Sequence, residues 1–359
     1  ALSGGDMLTL TMAGAITDDE SDNGKDASAR SKSQKNASAL GQWSSAANSF
    51  GVAAAGSVGI NRVVGETTSL VGDSAGDRLN LLSTGISLSA TDSTRITNFG
   101  GALAVGVRSS ITTGTADGGE QTSESRGGTS LAGAVALNFV NRDVRSELVN
   151  ADLGTTPTQL TITSSTQGAK DRAGALSLGV ESSKGLSLAI AGSIAINTND
   201  LITNSDRTRA LVSDVEAGSI SSLTVTANQN LDALALAGAL SLAINPAVPS
   251  TNSGTNRTST AIGVGAGIAV NDISTTTEAI VRRSRLVSQR PAAGDADPLP
   301  FRIEASSSNV EFVAVALAFS GSGAGATSGG QTGSYAIAGS ASGAINRFHN
   351  DIRAHLLNT

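Results

Sequence analysis

The chain has no cysteine, and its 359 residues include only two histidines, one tryptophan and one tyrosine. Without cysteine there is neither a disulfide framework nor a thiolate site. Nucleophilic catalysis needs a base that activates the nucleophile, and the only imidazoles are those of His349 and His355, which we interpret as ordinary, partly exposed residues. The sequence therefore predicts that the protein is not an enzyme. It identifies no catalytic, cofactor-binding or metal-binding residue.

Runs of like charge and long apolar runs are also missing. The net charge is −6 and no Lys/Arg run occurs, which excludes the electrostatic footprint of a nucleic-acid-binding protein. No apolar run reaches the ~18 residues of a membrane span without Gly, Ser or Asn breaking it. Aromatic residues make up only 3% of the chain. Val, Ile, Leu and Ala must therefore form the core, and this favours a thin, repetitive core over a thick one.

Two short patterns recur five times in a constant order. The first is a strand of the type Leu-x-Val-x-Ala, with central residues Leu10, Leu88, Ile162, Val225 and Ile303. The second ends in asparagine, at Asn61, Asn138, Asn197, Asn271 and Asn346. Such internal repeats indicate a repeat architecture. We therefore predict one continuous segment over 1–359, with repeats at about 1–79, 80–153, 154–215, 216–292 and 293–359. Since the chain begins with Ala1 and not Met, we expect a fragment of a longer protein.

Within each copy, large aliphatic and small residues alternate. In the run 186–196, Leu and Ile dominate the even positions, and Ser and Ala occupy the odd ones. A period of two is the signature of a β-strand. We expect the Leu, Ile and Val side chains of successive rungs to point inward and form the core. The small face would then lie against a closely approaching second surface, or form a flat exterior.

These patterns predict an all-β fold, a right-handed parallel β-helix (β-solenoid) of about five long repeats. Each copy would supply roughly three coils of 20–29 residues, as in other solenoids. The alternative is a stack of antiparallel hairpins, because the five-residue connection 181–185 is short enough for a hairpin. The recurring asparagine is expected at a corner of the coil, since Asn tolerates left-handed backbone conformations.

Polar inserts of variable length interrupt the copies, notably around 18–35, 109–130 and 246–260. An Asn-Asp or Arg-Asp pair followed by an aliphatic residue sits near four of the predicted corners: Arg142-Asp143-Val144, Asn199-Asp200-Leu201, Asn271-Asp272-Ile273 and Asn350-Asp351-Ile352. We interpret these pairs as turns with solvated carboxylates. Ca²⁺, which gathers six to eight oxygen ligands, is the alternative both here and at the acidic cluster Asp18, Asp19, Glu20 and Asp22.

The segments 191–197 (AGSIAIN) and 265–281 (GAGIAVNDISTTTEAIV) resemble repeats of giant bacterial exoproteins, the filamentous-haemagglutinin-like and leukotoxin-like β-helical adhesins. The resemblance covers essentially the whole chain at the level of motif and composition. It implies export to the bacterial cell surface, a rod-like stalk and a role in adhesion or surface architecture. It assigns no functional residue, because these repeats are scaffold.

The sequence leaves three functions open. The first is a structural stalk, spacer or filament-forming segment, whose partners are neighbouring repeats or further copies joined end to end. The second is an adhesin that binds a glycan or a protein receptor on a cell surface or in the matrix through its variable loops. The third is a polysaccharide-degrading β-helix enzyme, which the missing site chemistry disfavours.

Overall fold

The protein is all-β, with parallel sheets. A computed structural model describes residues 1–19, 46–47, 50–72, 76–108, 127–183, 185–199, 206–246, 259–288, 300–308, 310–325 and 334–358. Within these ranges 88% of residues lie in strands and none lies in a helix. The strands are β1 (Leu2–Ser3), β2 (Asp6–Asp19), β3 (Ala46–Ala47), β4 (Phe50–Val71), β5 (Leu79–Asn80), β6 (Gly85–Asp92), β7 (Arg95–Arg108), β8 (Gly127–Val149), β9 (Ala151–Asp152), β10 (Thr158–Ser182), β11 (Leu186–Asn199), β12 (Asp206–Ser213), β13 (Glu216–Asn245), β14 (Ser259–Arg282), β15 (Arg285–Ser288), β16 (Phe301–Ser307), β17 (Glu311–Ala324) and β18 (Ser334–Leu357).

These strands form two sheets, and each copy of the repeat contributes to both. Sheet A contains β1, β2, β5, β6, β7, β9, β10, β13, β15, β16 and β17, and it is curled like a half-barrel. Sheet B contains β3, β4, β8, β11, β12, β14 and β18. Among the described strands, only the two-residue pairing of β3 with β4 is antiparallel. Stacked antiparallel hairpins, the alternative from the sequence, are therefore not the arrangement of this chain.

Equivalent residues of successive copies pair directly. In sheet A, Leu160 lies opposite Leu223, and Leu223 lies opposite Phe301. In sheet B, Asn197 lies opposite Asn271. One copy thus supplies one level of the stack, and the prediction of three coils per copy is wrong. The reason is strand length. β13 is one strand of 30 residues, whereas a coil of about 20–29 residues would have to turn several times within such a length.

The first sequence marker is confirmed in four copies and wrong in one. Ile86 pairs with Leu160 as expected. In the first copy, however, β2 pairs with β7 and places Leu10 opposite Phe99. The segment 8–12 is therefore equivalent to 97–101 and not to 86–90, even though its residue pattern resembles the marker.

The type of buried side chain changes along each level, and β13 shows this change within one strand. Its inward residues are aliphatic near the start, including Leu223 and Val225, and from Ala233 onward they are alanines together with Ser241 and Asn245. The part with the Leu/Ile/Val core is called the aliphatic lobe below, with buried residues that include Leu88, Leu148, Leu160, Ile162, Val212, Ile220, Leu223 and Val225. The part with the alanine core is called the alanine lobe, with Ala53, Ala104, Ala134, Ala136, Ala175, Ala195, Ala235 and Ala269.

The expected direction of the aliphatic residues is wrong in the alanine lobe. In β11, Ser187, Ala189, Ala191 and Ala195 are buried, whereas Ile190 is 36% exposed. The small residues face the other sheet, which was one of the two environments considered for them, and the Leu, Ile and Val residues of these runs face outward. Only the aliphatic lobe has the expected inward Leu, Ile and Val.

Small inward residues allow the two sheets to approach closely. A Cβ atom added to Gly265 would lie 2.6 Å from the carbonyl oxygen of Phe319 on the opposite sheet, and one added to Gly179 would lie 2.9 Å from that of Ile190. Real Cβ atoms do not approach backbone oxygen this closely without displacement. No large side chain fits between the sheets here, so the aliphatic residues of both sheets are left on the outside.

The corner that returns the chain from sheet B to sheet A carries the left-handed residues. Asn150, Asp214, Arg283 and Asn358 have φ values of 53°, 59°, 46° and 51° at equivalent positions of four copies. The backbone N–H of Asp214 donates to the carbonyl of Arg282 one level away, over 3.2 Å. The recurring asparagines of the second marker are not at this corner, contrary to expectation, because they lie inside extended strands of sheet B.

Candidate functional site

The recurring asparagines form a buried ladder at the boundary of the two lobes. Asn138 donates from Nδ2 to Oδ1 of Asn197 over 2.8 Å, and Asn197 donates in the same way to Asn271 over 2.8 Å. Asn271 continues the chain to Asn346 over 2.9 Å. Asn138, Asn197 and Asn271 are fully buried. A buried amide that lacks partners costs stability, and from Asn138 to Asn346 each amide bonds to the equivalent amide of the next copy. The ladder does not extend to the first copy, because Nδ2 of Asn61 and Oδ1 of Asn138 have no hydrogen-bond partner.

Each ladder amide also joins sheet B to sheet A. The Nδ2 of Asn138 donates to the carbonyl of Arg172 over 2.8 Å, and that of Asn197 to Leu234 over 2.9 Å. From the opposite sheet, Asn98 donates to the carbonyls of Gly59 and Leu137 over 2.9 and 3.0 Å. The backbone edges of both sheets are thus bonded by side-chain amides where the core changes from aliphatic residues to alanine.

One buried arginine lies beside the ladder with three carboxylates around it. The guanidinium of Arg142 makes a bidentate contact with Asp171 at 2.6 and 3.1 Å and reaches Asp206 at 3.2 Å. Its Nε lies 3.4 Å from Asp92. The backbone N–H of Arg142 also donates to Asp206 over 2.8 Å. These four residues are almost completely buried and come from both sheets, so the cluster connects β6, β8, β10 and β12.

The cluster holds more negative than positive charge in a site that excludes water. Burial raises the pKa of Asp206 to about 6, and the Asp171 carboxylate adds to this shift against the opposing effect of Arg142. Burial alone would lower the pKa of Arg142, but the attraction of Asp171, Asp206 and Asp92 outweighs it and raises that pKa. Arg142 therefore stays charged, and Asp206 is the group that changes protonation near neutral pH.

Potential metal ligands and the two histidines can both be located in the described part of the chain. No group of three or more His, Cys, Asp or Glu residues there is placed to hold a metal ion. His349 and His355 lie on β18 and are exposed. No helix of the described ranges could cross a membrane.

Three of the four Asn-Asp and Arg-Asp pairs considered for Ca²⁺ lie in strands and not in turns. Asp143 contacts Arg145 at 3.1 Å, Asp272 contacts Arg347 at 3.0 Å, and Asp351 pairs with Arg353. Asp200 lies outside the described residues. Of the acidic cluster, Asp18 and Asp19 end β2, while Glu20 and Asp22 lie outside the described residues.

The outer face of sheet A in the alanine lobe is apolar across all five levels. Its residues align in columns that run across the strands: Leu10–Phe99–Gly174–Leu236–Val315, Met12–Gly101–Leu176–Gly238–Leu317, Gly14–Leu103–Leu178–Leu240–Phe319 and Ile16–Val105–Val180–Leu242–Gly321. This set is called face A below. In the three inner levels, where no end effect contributes, Leu103, Leu176 and Leu240 are 37%, 57% and 46% exposed.

A charged column marks the edge of face A. Asp6, Arg95, Lys170, Asp232 and Glu311 lie in register, one on each level. Beyond this column, toward the aliphatic lobe, the outward residues of β13 are polar, as at Thr224 and Thr226. The outer surface of sheet A therefore changes from polar to apolar where its interior changes from aliphatic residues to alanine.

A groove of about 480 Å³ crosses face A. Its floor is at the column with Gly101 and Gly238, and its walls include Leu10, Leu103, Leu240 and Phe319. No charged side chain lines it. The groove follows from the sequence, because glycine replaces a large residue in alternate levels of that column.

Sheet B has a corresponding apolar surface on the opposite side of the alanine lobe. Its columns are Ala54–Leu131–Ile190–Val264–Gly339, Gly56–Gly133–Gly192–Ala266–Ala341, Val58–Val135–Ile194–Ile268–Gly343 and Ile60–Leu137–Ile196–Val270–Ile345. This set is called face B. Its second column consists only of Gly and Ala, so a furrow runs between two aliphatic ridges. Leu131, Val264 and Ile268 are 37%, 40% and 44% exposed.

The two apolar faces were missed in the sequence, although a signal for them is present. Side chains of an unbroken strand alternate between its faces. In β13, Asp232 occupies an even position, as do Leu234, Leu236 and Leu240. A charged residue in the outward series therefore predicts that the aliphatic residues of the same series also face outward. The same parity connects Asp143 with Leu137 in β8.

No family model, curated protein or solved structure matches this chain.

Proposed function

We propose that the chain is a right-handed β-solenoid that serves as a structural stalk, spacer or filament-forming segment of an extracellular bacterial surface protein. The observation that carries this proposal is the direct register of all five copies, including the asparagine ladder. Strands in direct register, with a ladder that bonds the second to the fifth level by the same contact, can be extended by any number of levels. Adding copies therefore lengthens the stack without a new kind of contact, and this is the property that a spacer needs.

The two ends of the stack support continuation. Among the described strands β18 pairs only with β14, so one backbone edge of this 24-residue strand has no described partner. Asn346 sits on the same strand at the last position of the ladder. Unpaired parallel edges are templates for further strands. We propose that neighbouring repeats, or another copy joined end to end, cover these edges.

The extracellular location rests on the resemblance to adhesin repeats and on the absence of cysteine from the whole sequence. Antibodies against the chain provide the test. They should label intact cells of the organism that makes the protein, and brief surface proteolysis should remove the label. Labelling that requires permeabilised cells would contradict the proposal.

A role in adhesion is the second candidate, and one observation favours it. The strands that precede the variable inserts end in register, with Asp19 opposite Arg108 and Asn245 opposite Ala324. These described strands therefore end at the same edge of the stack, directly before the segments 20–45, 109–126 and 247–258, which lie outside the described ranges. An edge with several polar loops side by side can present a receptor-binding surface.

Deletion of these inserts separates the two candidates. If the chain binds cells or matrix through them, variants with each insert replaced by a short Gly/Ser linker should lose binding and keep the β circular dichroism of the parent. Binding that is unchanged in all the deletion variants would exclude the inserts and leave the structural role.

A further inference from the structure

We propose that the alanine lobe is a lateral interface, and that face A of one copy packs against face B of a second copy of the same chain. This inference concerns association side by side and is distinct from the end-to-end continuation proposed above. It depends on three features of the two faces: their area, their relief and their spacing.

The area of each face lies at the upper end of what a monomer leaves exposed. The four columns span seven residues at ~3.3 Å each, and five levels at ~4.8 Å then give roughly 550 Å². The largest apolar patch of an ordinary monomer is about 300–600 Å², and a typical protein–protein interface buries about 800 Å² on each partner. Face A and face B lie on opposite sides of one lobe, so each copy has two such surfaces to cover.

The relief of the two faces is complementary. Face A carries a ridge at Leu103, Leu178 and Leu240 beside its groove, and face B carries a furrow at Gly133 and Gly192. The ridge of face A can enter the furrow of face B. Face A has no continuous furrow of this kind, because Met12, Leu176 and Leu317 protrude in the column that also contains Gly101 and Gly238. Two copies of face A placed together would therefore oppose protruding residues to each other and pack less closely.

The spacing of the ridges agrees along the whole contact. Every level contributes one strand to sheet A and one to sheet B. The rungs of face A and face B therefore have the same interval along the stack, so the ridge of one face stays aligned with the furrow of the other across the levels, while single positions differ between levels, as at Gly101 and Leu176. This property favours a second copy over a globular partner, whose surface has no such period. Because face A binds face B and not another face A, the lateral contact joins two different surfaces. Each added copy therefore leaves one face free for the next, and the contact can continue into lateral arrays.

Two matched double variants of the full chain test the proposal. Leu103→Glu with Leu240→Glu places charge in one column of face A, at the second and fourth levels. Leu131→Glu with Val264→Glu does the same on face B. Ser89→Glu with Thr226→Glu is the control, because these residues lie outward on sheet A at the same two levels but in the aliphatic lobe. All six replaced side chains face outward, so the β circular dichroism should be retained.

Sedimentation velocity over a concentration series is the measurement. The parent and the control should form assemblies larger than dimers. Each face variant alone should associate at least tenfold more weakly, so that a tenfold higher protein concentration is needed to reach the same associated fraction. An equimolar mixture of the two face variants should regain association with a single lateral contact per pair and form no lateral arrays, because each component retains one competent face.

Four results would overturn the proposal. A parent chain that stays monomeric up to about 100 µM would exclude a stable interface. A parent chain that floats with neutral phosphatidylcholine vesicles and does not self-associate would show that the apolar faces bind lipid and not a second copy. Association that persists in the face B variant but not in the face A variant shows that face A pairs with itself. Association that both face variants retain shows end-to-end contact alone, which would leave the proposed stalk function standing without the lateral interface.

Discussion

Asn197 donates a hydrogen bond to Asn271 over 2.8 Å although 74 residues separate them in the chain. The contact is possible because the two residues occupy the same position in successive copies and lie on adjacent strands. Asn197 also donates to the Leu234 carbonyl of the opposite sheet. This one side chain therefore bonds both to the equivalent residue of the next copy and to the backbone of the opposite sheet.

Replacement of Asn197 by leucine should destabilise the protein by about 3 kcal/mol. The change leaves the Leu234 carbonyl, the Asn138 amide and the Asn271 oxygen with one partner fewer in a buried site, and each unsatisfied buried group costs about 1–3 kcal/mol. Chemical denaturation measures the effect. Thr198→Val, one residue away on the outer face, is the matched control and should change stability by less than about 0.5 kcal/mol. Equal stability of both variants would show that the ladder does not contribute to folding.

Neighbouring residues of β11 test which face is inside the alanine lobe. Ala195 is fully buried against the opposite sheet, so Ala195→Leu should cost about 1–3 kcal/mol through overpacking. Ile194 faces outward, so Ile194→Ser should cost much less in a dilute sample. Thermal unfolding of the two variants gives the comparison. The opposite order would mean that the aliphatic residues form the interior after all.

The Arg142 cluster predicts a pH dependence with a definite sign. The pKa of Asp206 is about 6 in the folded protein and about 4 in an unfolded chain. The folded state therefore binds more protons between these values, and this group's contribution to stability falls as the pH rises from about 4 to about 6. The loss is on the order of 3 kcal/mol.

Comparison with Asp206→Asn isolates this contribution from that of the other carboxylates. The asparagine variant cannot ionise, so its stability relative to the parent should be higher at pH 7.5 than at pH 4.5. Urea denaturation at the two pH values provides the difference. If this difference is the same at both pH values, Asp206 does not titrate in this range in the folded protein.

Disulfide formation can test the register between levels, because the chain has no cysteine of its own. Thr163 and Thr226 are register partners, and their hydroxyls lie 3.2 Å apart. The double variant Thr163→Cys/Thr226→Cys should oxidise readily to an intramolecular bridge, visible as a shift in gel mobility. Thr163→Cys with Ser222→Cys is the control, since Ser222 pairs with Gln159 and lies too far along the strand. Equal bridging in both would contradict the register.

The repeat was recognisable in the sequence because its markers depend only on local order. The five marker asparagines do lie in one register. The first strand marker was misaligned in copy one because the residues 8–12 (LTLTM) share the alternating pattern of 86–90 (ISLSA), whereas their register partners 97–101 (TNFGG) lack it. The prediction that asparagine lies at a corner was wrong for another reason. The preference of asparagine for turns describes single residues, whereas stacked asparagines inside a sheet can hydrogen-bond to one another.

The Arg142 cluster could not have been predicted from spacing. The four residues come from two copies, with Asp92 and Arg142 in one and Asp171 and Asp206 in the next, and Asp206 is separated from Arg142 by 64 residues. Arg142-Asp143 was interpreted as a turn pair because the two residues are adjacent in the sequence. In a strand, adjacent residues face opposite ways, so Arg142 enters the interior while Asp143 stays at the surface with Arg145.

By itself the sequence determined that the chain is all-β, repetitive and built from long alternating strands, since a period of two and an internal repeat are properties of local order. Only the tertiary structure decided which side of each strand is inside. Alternation divides the residues into two faces without stating which face meets the other sheet. That choice depends on the distance between the sheets. Where they approach closely through alanine and glycine, the larger residues are excluded and form the apolar faces on the outside.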